Sequence, residues 1–155
     1  MPESEEGRAG YDPPQRVRGL TTWLASEVAK KGQLLVSESL AQEGARRPHF
    51  TVLTSLAEQG PASQAALGRR LHIDRSDLHA LLNELERDGL IERVRDREDR
   101  RRNLVTITRA GRATLKRLDK RIDAAQAALL VPLSASDQRE LRRLLERLVD
   151  GGRSD

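Results

Sequence analysis

The chain has no cysteine in 155 residues, and one each of Trp, Tyr and Phe. The first absence excludes disulfides, thiol redox sensing and cysteine–zinc sites. The second leaves little aromatic surface for stacking on single-stranded bases. Three histidines lie far apart in sequence, so no metal site is expected. No apolar run nears the roughly 20 residues of a membrane span. Without a signal-peptide pattern, the expected location is the cytoplasm, with no membrane partner. Metal-binding clusters, glycine-rich phosphate loops, activated nucleophiles and paired carboxylates are all missing. The reading is therefore of a protein that is not an enzyme and needs no cofactor.

Hydrophobic residues make up 37% and charged residues 34%. That balance favours a mostly helical protein with a thin core, completed by a partner chain. Net charge is only +4, from 28 basic and 24 acidic residues, so distribution matters more than the total. Arg93, Arg95, Arg97, Arg100, Arg101 and Arg102 outweigh Asp96, Glu98 and Asp99 within one short run. A solvated charge run is one account of this. Its neighbours favour nucleic acid instead.

Those neighbours fill residues 61–108, which read as helix, turn, helix, strand, charged loop, strand. Asp74 is a suitable N-cap for the second helix, with Asp77 three residues on as a capping-box acid. Ile73 and Leu78 flank the cap as a hydrophobic staple. Leu78, Leu81, Leu82 and Leu85 form an apolar stripe, leaving Arg75, Ser76, His79 and Asn83 on the other side. Gly89 ends the helix. Residues 90–94 and 104–108 look like strands around an arginine-rich tip. The layout is a winged helix-turn-helix.

Residues 1–19 carry no periodicity and read as a flexible arm. Residues 20 to about 42 form a long helix with Leu20, Trp23, Leu24, Val28, Leu35 and Ser39 near one face, and Gly32 as a close-packing point. Pro48 starts the next helix, whose buried side is Phe50, Leu53, Leu56 and Ala57. Ser63 caps a short helix with Leu67 and Leu71 inward, and the His72-Ile73 joint suits a helix-turn-helix. Residues 111–130 carry an a/d-like seam of Leu115, Leu118, Ile122, Ala125 and Leu129. Ser134 and Asp137 cap a last helix with Leu141, Leu144, Leu145, Leu148 and Val149 on one face. The expected division is an arm (1–19), a dimerisation helix (20–47), a reading lobe (48–110), C-terminal dimerisation helices (111–150) and a flexible tail (151–155). The apolar stripes of the two terminal arms exceed what one thin lobe covers, so a homodimer is the simplest inference.

One run is especially informative: Leu81-Leu82-Asn83-Glu84-Leu85-Glu86-Arg87-Asp88-Gly89-Leu90-Ile91-Glu92-Arg93. Asp96-Arg97-Glu98-Asp99-Arg100-Arg101 and Val105-Thr106-Ile107-Thr108-Arg109-Ala110-Gly111 follow. In order and spacing these resemble the multiple-antibiotic-resistance regulator (MarR) family. The resemblance spans about residues 20–150 and is specific over 61–111. It implies a homodimeric winged-helix transcriptional regulator, most often a repressor, on a pseudo-palindromic double-stranded operator. It also implies a cleft between dimer arms and reading lobes for phenolic, aromatic-acid or antibiotic-like effectors. Asp99 would orient the wing arginines, and Arg100 or Arg101 would enter a narrow minor groove.

Arg75 suits a guanine edge, where its guanidinium can pair bidentately, or a phosphate; the sequence leaves both open. Ser76 and His79 share its exposed side, with Asn83 beyond them. Arg97 belongs to the wing set. Asp77 could accept from a cytosine amino group, although its capping role accounts for it without DNA. Ala80 departs from the polar residue common in the family, shifting recognition toward the wing and DNA shape. Gln64 and Arg69 are candidates for phosphate. Trp23, His49 and Phe50 are candidate effector contacts, against ordinary packing for the aromatics and solvation for the histidine. A non-specific architectural binder and a winged-helix protein-contact module are the competing readings.

Overall fold

The computed structural model describes residues 12–151. Most of the expected N-terminal arm, residues 1–11, and most of the tail, residues 152–155, lie outside the described residues. The rest of the arm is not featureless: a one-turn helix, α1 (Gln15–Arg18), precedes α2 (Thr21–Ala41). Then come α3 (Arg47–Gln59), α4 (Gln64–Leu71), α5 (Arg75–Arg87), β1 (Ile91–Arg95), β2 (Asn103–Ile107), α6 (Arg109–Leu130) and α7 (Ala135–Asp150).

The core lies where α3, α4, α5 and the hairpin meet. Leu53, Leu56, Leu67, Leu78, Leu82 and Ile91 are essentially inaccessible there. Val52 is fully buried beside Leu53, whereas Phe50, expected on the buried side of α3, packs at the margin. Leu40 and Leu118 extend the core to the crossing of α2 and α6. On the other side of that crossing, a Cβ on Gly32 would stand 3.2 Å from Leu129 Cδ2, so the expected close-packing point is real.

The hairpin is antiparallel, with Ile91 opposite Ile107 and Arg95 opposite Asn103. It has a third support absent from the sequence reading. Ala62 N donates to Val105 O at 3.1 Å and Val105 N to Ala62 O at 2.8 Å, pinning β2 to the α3–α4 connection.

Gly89 has φ +70° and terminates α5 in a Schellman arrangement: Leu90 N donates to Leu85 O, and Gly89 N to Glu86 O. Thr108 is not the end of a strand but the N-cap of α6. Its Oγ1 accepts from Gly111 N at 3.0 Å and donates to Gly89 O at 2.6 Å. Gly111 then lies so near the α5 end that a Cβ would stand 2.0 Å from Leu90 O. The threonine-x-x-glycine run is thus a cap plus a backbone approach that admits no side chain.

Helix α7 has no buried residue. Leu144, Leu145, Leu148 and Val149 are 41–70% exposed, and Leu24 and Val28 of α2 are about half exposed. No described helix is long and apolar enough to cross a membrane.

Candidate nucleic-acid interface

Two capped helices build the surface. Ser63 Oγ accepts Ala66 N at 3.2 Å and starts α4. Asp74 Oδ1 accepts Ser76 N at 2.8 Å and starts α5. The same oxygen takes the Ser76 hydroxyl at 2.5 Å. Ser76 thus donates inward, which leaves its oxygen as an acceptor toward solvent. These bonds, the Ser76 hydroxyl first, hold the Asp74 carboxyl below the ordinary carboxylate range. The expected capping box is not formed: among the described residues the Asp77 carboxylate accepts no hydrogen bond from the Asp74 backbone N–H. At α7 the box is altered, because the Asp137 carboxylate takes the Ser134 hydroxyl instead of a backbone N–H.

The turn between α4 and α5 passes through His72, at φ +52°, the one non-glycine described residue in the left-handed region. It lets α5 lie across α4 and opens a groove of about 1120 Å³. Gln64, Arg69, Arg75, Ser76 and His79 all line it. These five candidate DNA contacts therefore share one groove. Asn83 lies one turn beyond His79 and is engaged within the protein, by Arg93 and His79.

The wing is ordered by a different acid from the one expected. Asp99 Oδ1 accepts only the backbone N–H of Arg101, at 3.0 Å. The acid that orients an arginine is Asp96, whose Oδ2 takes Arg102 Nε at 3.1 Å and Nη2 at 2.7 Å. Asp96 Oδ1 takes Glu98 N at 2.9 Å, and the residue is 6% exposed. The Glu98 N–H and then Arg102 hold its carboxyl below the ordinary range, while Asp96 raises Arg102. Arg97, Arg100 and Arg101 are exposed, and their guanidiniums have no hydrogen-bond partner among the described residues. The tip thus carries three unneutralised cations. Asp96 was missed as an organiser because sequence shows an acid in a charged run but not its burial.

The three candidate effector residues do not form one cleft within the chain. Trp23 stands in the first turn of α2, while Leu40 at its other end lies roughly 25 Å further along the axis. The chain keeps Phe50 at the Leu40 end, through Ala45 N to Leu40 O and Phe50 N to Arg46 O. His49 is not solvated. Its Nδ1 accepts Arg46 N at 2.9 Å, and Nε2 meets Glu84 Oε2 at 2.9 Å. Since Nδ1 accepts, Nε2 donates, tying α3 to α5. Arg46 Nη2 adds a 2.6 Å bond to the same carboxylate oxygen. The His49 bond, then Arg46, holds Glu84 below its usual range. Among the described residues no group of His, Asp and Glu is placed to hold a metal.

Comparison with known proteins agrees with this geometry. The MarR family model matches residues 44–102. The HTH-type transcriptional repressor Rv2887 of Mycobacterium tuberculosis is 34% identical over 113 residues, which cover 73% of this chain and 81% of that protein. The chain belongs to the MarR family of winged helix-turn-helix transcriptional regulators. Its fold superposes on wild-type apo MarR from E. coli with a TM-score of 0.74 at 25% identity, covering 83% of this chain and 96% of that one. Rv2887 in complex with salicylic acid gives a TM-score of 0.69 at 32% identity, over 89% and 98% of the two chains.

Proposed function

We propose that this MarR-family protein is a homodimeric, sequence-specific repressor whose operator affinity is set by a small aromatic acid or antibiotic-like effector. The observation that carries the DNA reading is the α4–α5 groove, where Gln64, Arg69, Arg75, Ser76 and His79 converge. Residues 48–110 act as the reading lobe. Helix α5 enters the major groove, with Arg75 at a guanine edge or phosphate, while Arg100 and Arg101 enter the minor groove with Arg97 beside them.

Residues 20–47 and 111–150 act as dimer arms. The exposed leucines of α7 and the half-exposed Leu24 and Val28 support this, since isolated apolar faces of this kind are covered in stable proteins. A twofold dimer presents two α5 helices to a pseudo-palindrome. The effector reading is supported by the salicylic acid complex of Rv2887. A cleft built on His49 and Phe50 would take Trp23 from the second protomer. An effector shifts operator affinity only by its preference for one separation of the α5 helices.

The test is a titration of the full chain against the DNA upstream of its own gene and against random duplex at fixed salt. A preference of about 10³-fold or more is expected. Equal binding to both would favour an architectural role, and binding to neither would favour a protein-contact module. Sedimentation of the same sample reads the dimer.

A further inference from the structure

Arg93 of β1 reaches back onto the reading helix. Its Nη2 donates to Asn83 Oδ1 at 3.0 Å, and its Nη1 pairs with Glu86. Asn83 Nδ2 in turn lies 3.2 Å from His79 Nε2. A guanidinium carries only donors, so the Asn83 atom facing it must be the carbonyl oxygen. The other end of the amide is then NH2, which only donates. His79 Nε2 must accept from it. A neutral imidazole that accepts at Nε2 carries its proton on Nδ1. Nδ1 has no hydrogen-bond partner among the described residues, and His79 is exposed in the groove beside Arg75.

We propose that Glu86, Arg93 and Asn83 form a relay that fixes His79 in the Nδ1–H tautomer, so that it reads a base-edge acceptor in the major groove. This rests on the DNA reading above. An N–H on Nδ1 suits a purine N7 and is mismatched to the amino group of cytosine. Without the relay, either ring nitrogen can hold the proton, and His79 can meet donor or acceptor. Arg93 is thereby a positioning residue that needs no contact with DNA. The wing strand sets the recognition chemistry of the helix it follows.

The first readout is nitrogen NMR of the His79 ring in the DNA-free full chain at about pH 8, where imidazole is ordinarily neutral. The wild type should show a proton-bearing Nδ1 and a bare Nε2. Arg93→Met should average the two nitrogens. Asn83→Asp offers only acceptors to His79, so it should reverse the tautomer to Nε2–H. Asn83 is exposed, so this variant remains informative if Arg93→Met fails to fold. A wild-type ring that averages or carries Nε2–H overturns the relay, as does an unchanged ring in Asn83→Asp.

The second readout replaces each purine of a duplex selected by the protein with its 7-deaza analogue. One position per half-site should cost the wild type about fivefold in affinity, the loss of one neutral hydrogen bond. Asn83→Asp should be indifferent at that position. If a preferred duplex is found but no deaza position matters, the base-reading half is overturned while the regulator reading stands. If no duplex is preferred over random DNA, the regulator reading falls, and base reading with it. The ring tautomer then still reports independently on the relay.

Discussion

Asp96 and Arg102 close the turn of the wing: one carboxylate oxygen takes both Nε and Nη2 of the guanidinium, at 3.1 and 2.7 Å. Arg102 is therefore occupied, whereas Arg97, Arg100 and Arg101 remain available at the tip. Beyond β1, the pairing sets Arg102, a structural member, apart from Arg97, Arg100 and Arg101, which face solvent.

Asp96→Asn tests that division. The amide removes the negative charge and turns one acceptor into a donor, so Arg102 and the Glu98 N–H cannot both be satisfied. Hydrogen-exchange protection at the Glu98 amide should fall, and affinity for DNA should drop severalfold. Unchanged protection with unchanged affinity would mean that the wing turn needs no organiser.

Arg101→Ala tests the tip. Each phosphate contact contributes about −0.9 to the slope of log affinity against log salt. The variant should bind DNA more weakly and with a slope shallower by about that amount per protomer contact, while sedimentation still shows the wild-type assembly. Equal affinity across a salt series would remove Arg101 from the interface.

Gly111→Ala tests the approach of α6 to the end of α5. The added methyl would meet Leu90 O, a backbone atom that cannot rotate away. We expect a loss of about 3 kcal/mol in urea unfolding, at the upper end for overpacking. A loss near zero would show that the α5–α6 junction relaxes freely.

Glu43→Gln tests the electrostatics between the α2–α3 connection and α6. Glu43 accepts from Arg121 Nε at 3.0 Å and Arg117 Nε at 3.3 Å. The Arg121 bond leads the causes holding its carboxyl below the ordinary 4.5. A lowered folded-state pKa stabilises fully above the unfolded value and fades as pH falls through the folded one. The variant should be less stable than wild type at neutral pH, and the gap should shrink once pH drops below 4.5. A gap undiminished at about pH 3 would mean that shape, not charge, accounts for it.

How much of this was legible beforehand depends on sequence distance. The caps at Ser63 and Asp74, the stop at Gly89 and the leucine stripe of α5 are local patterns spanning a turn or two, and each is present. The joint at His72 was also placed, although not its left-handed conformation. The wing-orienting acid was misassigned because Asp96, Glu98 and Asp99 are alike in sequence and differ only in which one the hairpin buries. Thr108 reads as strand by composition, and only the return of α6 under the α5 terminus makes it a cap. By sequence alone His49 is a solvated or ligand-facing ring, because Glu84 is far away in the chain.

By itself the sequence determined the order of helices and strands, the polar face of α5 and the cationic tip. Those follow from periodicity, capping chemistry and charge among near neighbours. Tertiary structure alone decided which polar groups are already satisfied: Arg102 by Asp96, His49 by Glu84, and Asn83 by Arg93 and His79. Hydrogen bonds need atoms at about 3 Å with the right donor and acceptor. His49 with Glu84 and Asn83 with Arg93 join different elements, so their meeting depends on how the helices and hairpin pack.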